Sequence, residues 1–370
     1  MDSRIQVDPR ALRQFGGAGS SFYLITDDTL ASQCDLNDRD CFGKSDVIGV
    51  ARGSRLGAVL DELPADAAVL VAATGLFIRS TDMKDLRERR ISILPCGSTP
   101  VRPEHLRYFL DVVARTDPAA QTAFAEKFFS ALGETSAVRL VDDQQRTECV
   151  FDPHDETYVW NQQAGVLEPG EQQIAPAGEL SVLPMDIDTF DPTRRLALEG
   201  SVTLRGEPIV HGGYDDALTG AQADLYGKLS ALRRHPVVVE IESGVIATCR
   251  PGSRAPESER AAAVLNDLFE SEPRYRVVWE LGFGINTAMN VVPANCGLNE
   301  VYGATNGVVH LGVGLTPFTT FALTFICPAT RLVGDDDSVL LGTARSAVAS
   351  ANDKPQRRIT PNRDASCGCH

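Results

Sequence analysis

The alternation of apolar and polar positions changes character near residue 136. Before that point, short apolar runs at residues 22–25 and 47–50, AAVLVAATGLFI from Ala67 and ISILPCG from Ile91 are separated by turns and charged stretches, the pattern of buried strands in an α/β layer. Two amphipathic segments follow. EHLRYFLDVVARTD from Glu104 puts Leu106, Phe109, Val112 and Val113 on one helical face, and AAQTAFAEKFFSALGE from Ala119 predicts a second helix with Gly133 at its C-terminal cap. From Ala137 onward the period shortens to two. AVRLVDD, ECVFD, TYVW, GELSVLPMDID and LEGSVTL alternate with Gly, Pro and Asp turns, which predicts a mostly antiparallel β domain interrupted by one helix at 256–272.

The expected fold class is therefore α+β: an α/β domain over residues 1–135, a mostly antiparallel β domain over 136–345, and a disordered tail over 346–370, where apolar residues become sparse. Charge narrows the partners. Thirty-five basic residues against fifty acidic give a net charge of −15, which repels nucleic acid and anionic membrane. The short basic run RERR at residues 87–90 is expected on a helix face. No window reaches the ~20 apolar residues of a membrane span, and the first residues lack a secretory pattern, so a cytoplasmic location is expected. The nine cysteines are scattered and odd in number, as expected for buried thiols, and the terminal Cys367-Gly-Cys369-His370 reads as an adventitious chelator in a frayed tail.

Candidate chemistry concentrates in residues 279–328. Glu280 follows an apolar run and precedes Leu281-Gly282-Phe283-Gly284, where missing side chains allow close approach. Glu300 lies in a loop, and His310 ends GVVH before LGVG. Glu179, in PAGEL, is expected on its own to be a surface carboxylate, and a lone strand histidine such as His310 a half-buried core residue. Together these groups have the donor types of a divalent-metal site, yet no second ligand cluster, nucleophile elbow or phosphate loop accompanies them. The other histidines, His211 included, sit in unrelated contexts.

PAGEL, WELGFGIN, the Asn-Glu at Glu300 and GVVHLGVG resemble, in order, the motifs of the M29 aminopeptidases and of the related 2,5-dihydroxypyridine dioxygenases, over residues 176–333. By that resemblance Glu179, Glu280, Glu300 and His310 fall on metal-ligand positions, and a final H-x-D belongs in TTFALTFICP, where the alignment places Phe321-Ala322-Leu323. Without those two ligands no metal and no cofactor is expected. The resemblance then implies a metal-free pseudoenzyme like the peptide-binding proteins of crocagin biosynthesis. It would hold a precursor peptide of a ribosomally made, modified product in a cleft formed by Glu179, Glu280, Phe283, Asn286, Glu300, His310, Phe318, Phe321 and Leu323. The expected partners are that peptide, a second copy of the chain in a homodimer, and other enzymes of the pathway. The alternative is a metal-dependent aminopeptidase or ring-cleaving dioxygenase.

Overall fold

The structure is a computed structural model that describes residues 4–16, 20–37, 41–73, 86–94, 97–187, 191, 193–213, 215–316, 318–342 and 359–363. It forms two compact units that interleave in sequence. The first holds residues 1–122, 163–178 and 363–370, and the second 123–162 and 179–362.

In chain order the elements begin with β1 (Ile5–Val7), β2 (Ser21–Asp27), α1 (Asp28–Ala31), β3 (Cys34–Leu36), β4 (Lys44–Val50), α2 (Leu56–Asp61), β5 (Ala68–Ala72), β6 (Arg90–Ile93), α3 (Pro103–Arg115) and α4 (Pro118–Glu134). They continue with β7 (Val138–Asp142), β8 (Thr147–Phe151), β9 (Tyr158–Gln163), β10 (Gln172–Ile174), β11 (Glu179–Pro184), β12 (Leu198–Leu204), β13 (Pro208–His211), α5 (Thr219–Leu229), β14 (Val237–Glu242), β15 (Val245–Pro251) and α6 (Pro256–Ser271). The last are β16 (Val278–Gly284), β17 (Val308–Val313), β18 (Ala322–Cys327), β19 (Arg331–Gly334) and β20 (Val339–Leu341).

The first unit is built on a parallel sheet ordered β10-β6-β5-β2-β4. Parallel strands are covered on both faces and read as continuous apolar runs, which is why β2 and β5 were visible in the sequence. Ile25, Val69, Val71 and Ile91 are buried in its core. RERR does not lie on a helix among the described residues. Arg87 turns at a φ of 54°, Arg89 is buried, and its guanidinium donates to the carbonyls of Leu63 and Pro64 at 2.6 and 2.9 Å. Arg90 opens β6 and donates to the Leu167 carbonyl. The positive charges thus close a turn by satisfying carbonyls that apolar neighbours could not.

The second unit carries a seven-stranded sheet ordered β15-β14-β12-β8-β7-β19-β20 and a six-stranded sheet ordered β13-β18-β17-β16-β11-β9. Their recorded pairings are antiparallel, as the period-two pattern requires. One face of the six-stranded sheet is aromatic. Phe283 on β16 stacks on Trp160 of β9 with ring centres 6.3 Å apart, and Phe128 of α4 meets Phe283 at 5.0 Å. The opposite face of this sheet carries the polar candidates.

Two local expectations fail. α4 continues through Glu134, so Gly133 lies in its last turn and does not cap it. A second helix, α5, also interrupts the β domain; only Gln222, Leu225 and Leu229 of it are buried, too few to mark an apolar stripe. No helix among the described residues is long and apolar enough to cross a membrane. The expected disordered tail, with Cys367, Cys369 and His370, falls mostly outside the described residues, while residues 359–363 are described.

Candidate functional site

Register decides which side chains meet. Across the antiparallel pairs, Glu179 lies opposite Gly284 and Ser181 opposite Gly282; Gly282 in turn lies opposite His310, and Glu280 opposite Gly312. Gly312 pairs with Thr324, Thr324 with Ile209, and His211 with Ala322. Directly opposed residues project to the same face, so Glu179, Ser181, Glu280, His310, Thr324 and His211 share one side of the sheet.

Glycines make the room. A Cβ on Gly282 would stand 1.9 Å from the His310 Nε2, so the imidazole lies flat across the space of the missing side chain. A Cβ on Gly284 would meet the carbonyls of Tyr302 and Glu300 at 2.3 and 2.5 Å. The 3-10 turn Gly297–Val301 therefore sits directly on the end of β16 and delivers Glu300 to the site face.

Two groupings result. Glu300 accepts a 2.7 Å hydrogen bond from the Thr324 hydroxyl at Oε1, and the same oxygen lies 3.2 Å from the His211 Nε2. His310 Nε2 lies 3.7 Å from Glu179 Oε1, beyond hydrogen bonding but close enough for an ion pair, and neither ring nitrogen has a hydrogen-bond partner. Glu179, Glu280 and His310 each offer a donor atom within 4.8 Å of the others. The expectation of a surface carboxylate at Glu179 is overturned, since that residue is buried. Its sequence neighbours form a buried strand, which was the available signal.

The charges cannot all persist. Three carboxylates face at most two imidazolium groups. Burial, reinforced by the charge of Glu179, pushes the Glu280 carboxyl up to about 8, so it keeps its proton at neutral pH. Glu280 retains some accessible area although protein surrounds its carboxyl group. Burial works against charge on Glu300 too, but His211, His310 and the Thr324 hydroxyl outweigh it and hold its carboxyl low. For His310, burial disfavours the imidazolium, yet the surrounding carboxylates win and raise it. The buried thiols of Cys149, Cys249, Cys296 and Cys327 are pushed up to about 12, chiefly by burial, which leaves them inert as expected.

The remaining residues expected in the cleft are dispersed. Phe283 belongs to the aromatic face, because it is an odd number of positions from Glu280 on one strand. Leu323 likewise points away from His310, and the strand shows Ala322 and Thr324 to the site. Leu323, expected from the resemblance to stand in a ligand position, is thus one residue out of step with the site face. Phe321 is buried, with its N–H donating to the Tyr275 hydroxyl, and Phe318 packs against Val277, Trp279 and Leu315. Asn286 is buried; its N–H donates to the Val301 carbonyl, and its side-chain oxygen accepts from the Ala288 N–H, which holds the turn after β16. His211 was missed. Its signal, a histidine ending an apolar strand before Gly212-Gly213, matches that of His310.

These donors do not fit the metal centres that the resemblance implies. A metal pair needs about five or six protein ligands, and a mononuclear iron oxygenase needs two histidines with a carboxylate. Here Glu300 is engaged by Thr324 and His211, and β18 presents a methyl and a hydroxyl. What remains is a three-donor set, Glu179, Glu280 and His310.

A family model described as "Crocagin biosynthetic protein CgnE/B" matches residues 52–332. Among solved structures, the 2,5-dihydroxypyridine dioxygenase of Pseudomonas putida KT2440 shares the fold, with a TM-score of 0.53 at 13% identity over 90% of this chain and 94% of that one. This agrees with the α+β class expected from the sequence. No curated protein sequence matches the chain.

Proposed function

From the premise that this chain belongs to the crocagin biosynthetic CgnE/B family, we propose that it is a non-catalytic peptide-binding protein acting in the biosynthesis of a ribosomally made, modified peptide. One observation carries the non-catalytic part. The Thr324 hydroxyl ties Glu300 into a buried hydrogen bond beside His211, so a carboxylate in a ligand-like position is spent inside the protein. Buried charges that satisfy one another hold a sheet in register, whereas a catalytic metal requires donors left open to it.

The partner is the precursor peptide, held by strand addition along the sheets of the second unit, where backbone bonds give affinity and flanking pockets give selectivity. The acidic chain suits a peptide with basic residues. Glu280 stays in the proposed cleft because it retains accessible area, whereas Phe283 and Leu323, on the other face, do not. A homodimer and contacts with other pathway enzymes complete the reading. Calorimetry of the full chain with candidate precursor peptides from its gene neighbourhood is expected to show saturable heat with one of them, and its absence would overturn the peptide reading.

A second reading, a metal-dependent aminopeptidase or ring-cleaving dioxygenase, is favoured by one observation: Glu179, Glu280 and the unpartnered His310 lie close enough to share a cation. Protein purified without chelator and holding a full equivalent of tightly bound divalent metal would replace the first reading with this one.

A further inference from the structure

Three neighbouring strands of the six-stranded sheet, β11, β16 and β17, each bring one polar side chain to the same place: Glu179, Glu280 and His310. Each stands opposite a glycine. Glu179 is paired with Gly284, Glu280 with Gly312 and His310 with Gly282. The glycines let two of these side chains lie low across the sheet, since a Cβ on Gly312 would stand 3.0 Å from the Glu280 Oε2 and one on Gly282 1.9 Å from the His310 Nε2. Two carboxyl groups and an imidazole are thereby brought together over bare backbone.

The adjacent group closes on itself, and this one does not. Glu300 is bonded by Thr324 with His211 beside it. His310 is fully buried, yet neither of its ring nitrogens has a hydrogen-bond partner among the described residues, and its Nε2 lies 3.7 Å from the Glu179 Oε1, beyond hydrogen bonding. A buried polar atom normally has a partner, so the missing one belongs to a group the chain does not supply. Access is from Glu280, the one member of the three that is only half-buried. Carboxyl groups outnumber imidazoles on this face, so the missing group is a cation. Its shape follows from the acceptors. A guanidinium is a planar fork that matches both oxygens of one carboxylate, whereas single atoms from three residues match the three N–H groups of a primary ammonium.

We propose that Glu179, Glu280 and His310 form a subsite for a primary ammonium group of the bound peptide, either its N-terminus or a lysine side chain. The proposal rests on the peptide-binding reading and names the group that this face recognises. One ammonium N–H donates to a Glu179 oxygen, one to a Glu280 oxygen and one to the His310 Nε2, the imidazole being neutral when the ligand is bound. The ammonium brings the positive charge that the empty site obtains by holding protons. An acetylated amine lacks the charge and a quaternary one lacks the N–H groups, so both are refused.

The test follows the His310 ring nitrogens by NMR in the full chain carrying nitrogen-labelled histidine, in chelator near neutral pH. Their signals are those lost in the His310→Gln variant. Ethylammonium chloride should shift them saturably, whereas tetramethylammonium chloride and sodium chloride at the same ionic strength should not. Glu280→Gln should weaken ethylammonium binding by about tenfold or more, the loss of a hydrogen bond to a charged group. An equal response to the three salts, no response to ethylammonium, or unchanged binding in Glu280→Gln overturns the proposal. Peptide arms separate the two sources. With a precursor peptide that binds in calorimetry, an affinity loss of about tenfold on acetylating its N-terminus assigns the subsite to that end, and the same loss on replacing lysine by norleucine assigns it to the side chain. A peptide that keeps its affinity through both changes overturns the proposal while leaving the peptide reading intact. If ethylammonium binds but no precursor peptide does, the ammonium subsite stands and the peptide reading fails.

Discussion

Gly282 and His310 face each other across β16 and β17, and the imidazole fills the place a Gly282 side chain would take, with its Nε2 1.9 Å from that Cβ position. The site thus depends on a residue with no chemistry of its own. Gly282→Ala is expected to displace the ring and destabilise the chain by about 1–3 kcal/mol, the usual cost of overpacking. His310→Ala should remove most of that penalty, so the two changes combine to less than their sum in a double-mutant cycle read from urea midpoints. Strict additivity would mean that the ring does not occupy that space.

Glu280 makes stability depend on pH in a defined direction. Its carboxyl is raised from an ordinary 4.5 to about 8 in the folded chain, so between those values the folded state holds a proton that the unfolded state has lost. Stability from this group is full below about pH 4.5 and drains away as pH rises toward 8. Glu280→Gln keeps the shape and removes the titration. The variant should therefore lose less stability than the natural chain between pH 5 and 8, by roughly 3–4 kcal/mol, since each tenfold difference in proton affinity between the folded and unfolded states is worth about 1.4 kcal/mol. Parallel pH profiles in urea denaturation would contradict it.

Glu300 has the opposite sign, since its carboxyl is held low by His211, His310 and Thr324 against the cost of burial. Its contribution is present above pH 4.5 and lost on acidification. Thr324→Val deletes the 2.7 Å hydrogen bond at nearly constant volume. It should cost about 1.5–3 kcal/mol near neutrality, the range for a bond to a charged group, and less as pH falls below 4.5. Melting curves at pH 7 and pH 4 check both.

How much of this was legible follows from the range of the interactions. The strands and the α+β class were readable because period and burial are local, as SFYLITD and VRLVD illustrate. The site was readable only in part. Glu280, Glu300 and His310 stood out beside their glycines, but their meeting depends on register set by residues far away in sequence. His211 shares the oxygen of Glu300 from 89 positions away; its own segment shows a histidine before two glycines, but nothing local announces that partner. Phe283 was readable as facing away, since residues 280 and 283 of one strand cannot share a face. The interleaving of residues 163–178 with the first unit left no local trace.

The aromatic face gives a control. Phe283→Ala opens a cavity between Trp160 and Phe128 and should cost about 3–5 kcal/mol. Because its ring is on the far side from Glu280, precursor-peptide affinity measured well below the melting temperature should stay within about twofold. A large loss of affinity without matching instability would return Phe283 to the cleft.

Register also predicts how a metal site would have to be rebuilt. Ala322 and Thr324 face His310 and Glu280, whereas Phe321 and Leu323 do not share their face. Ala322→His with Thr324→Asp therefore adds an imidazole and a carboxylate to the set of Glu179, Glu280 and His310. The added carboxylate would crowd Glu300, so this double variant should be less stable in chelator and regain stability with cobalt or zinc, as any ligand specific to the folded state produces. Phe321→His with Leu323→Asp places the same groups among apolar side chains. That pair should destabilise the chain with or without metal, because a buried charge without a partner costs several kcal/mol (of the order of 3–5). Cobalt absorption in the visible range, present in the first variant and absent in the second, would fix the face; the reverse would show that β18 is paired one residue out of the register described.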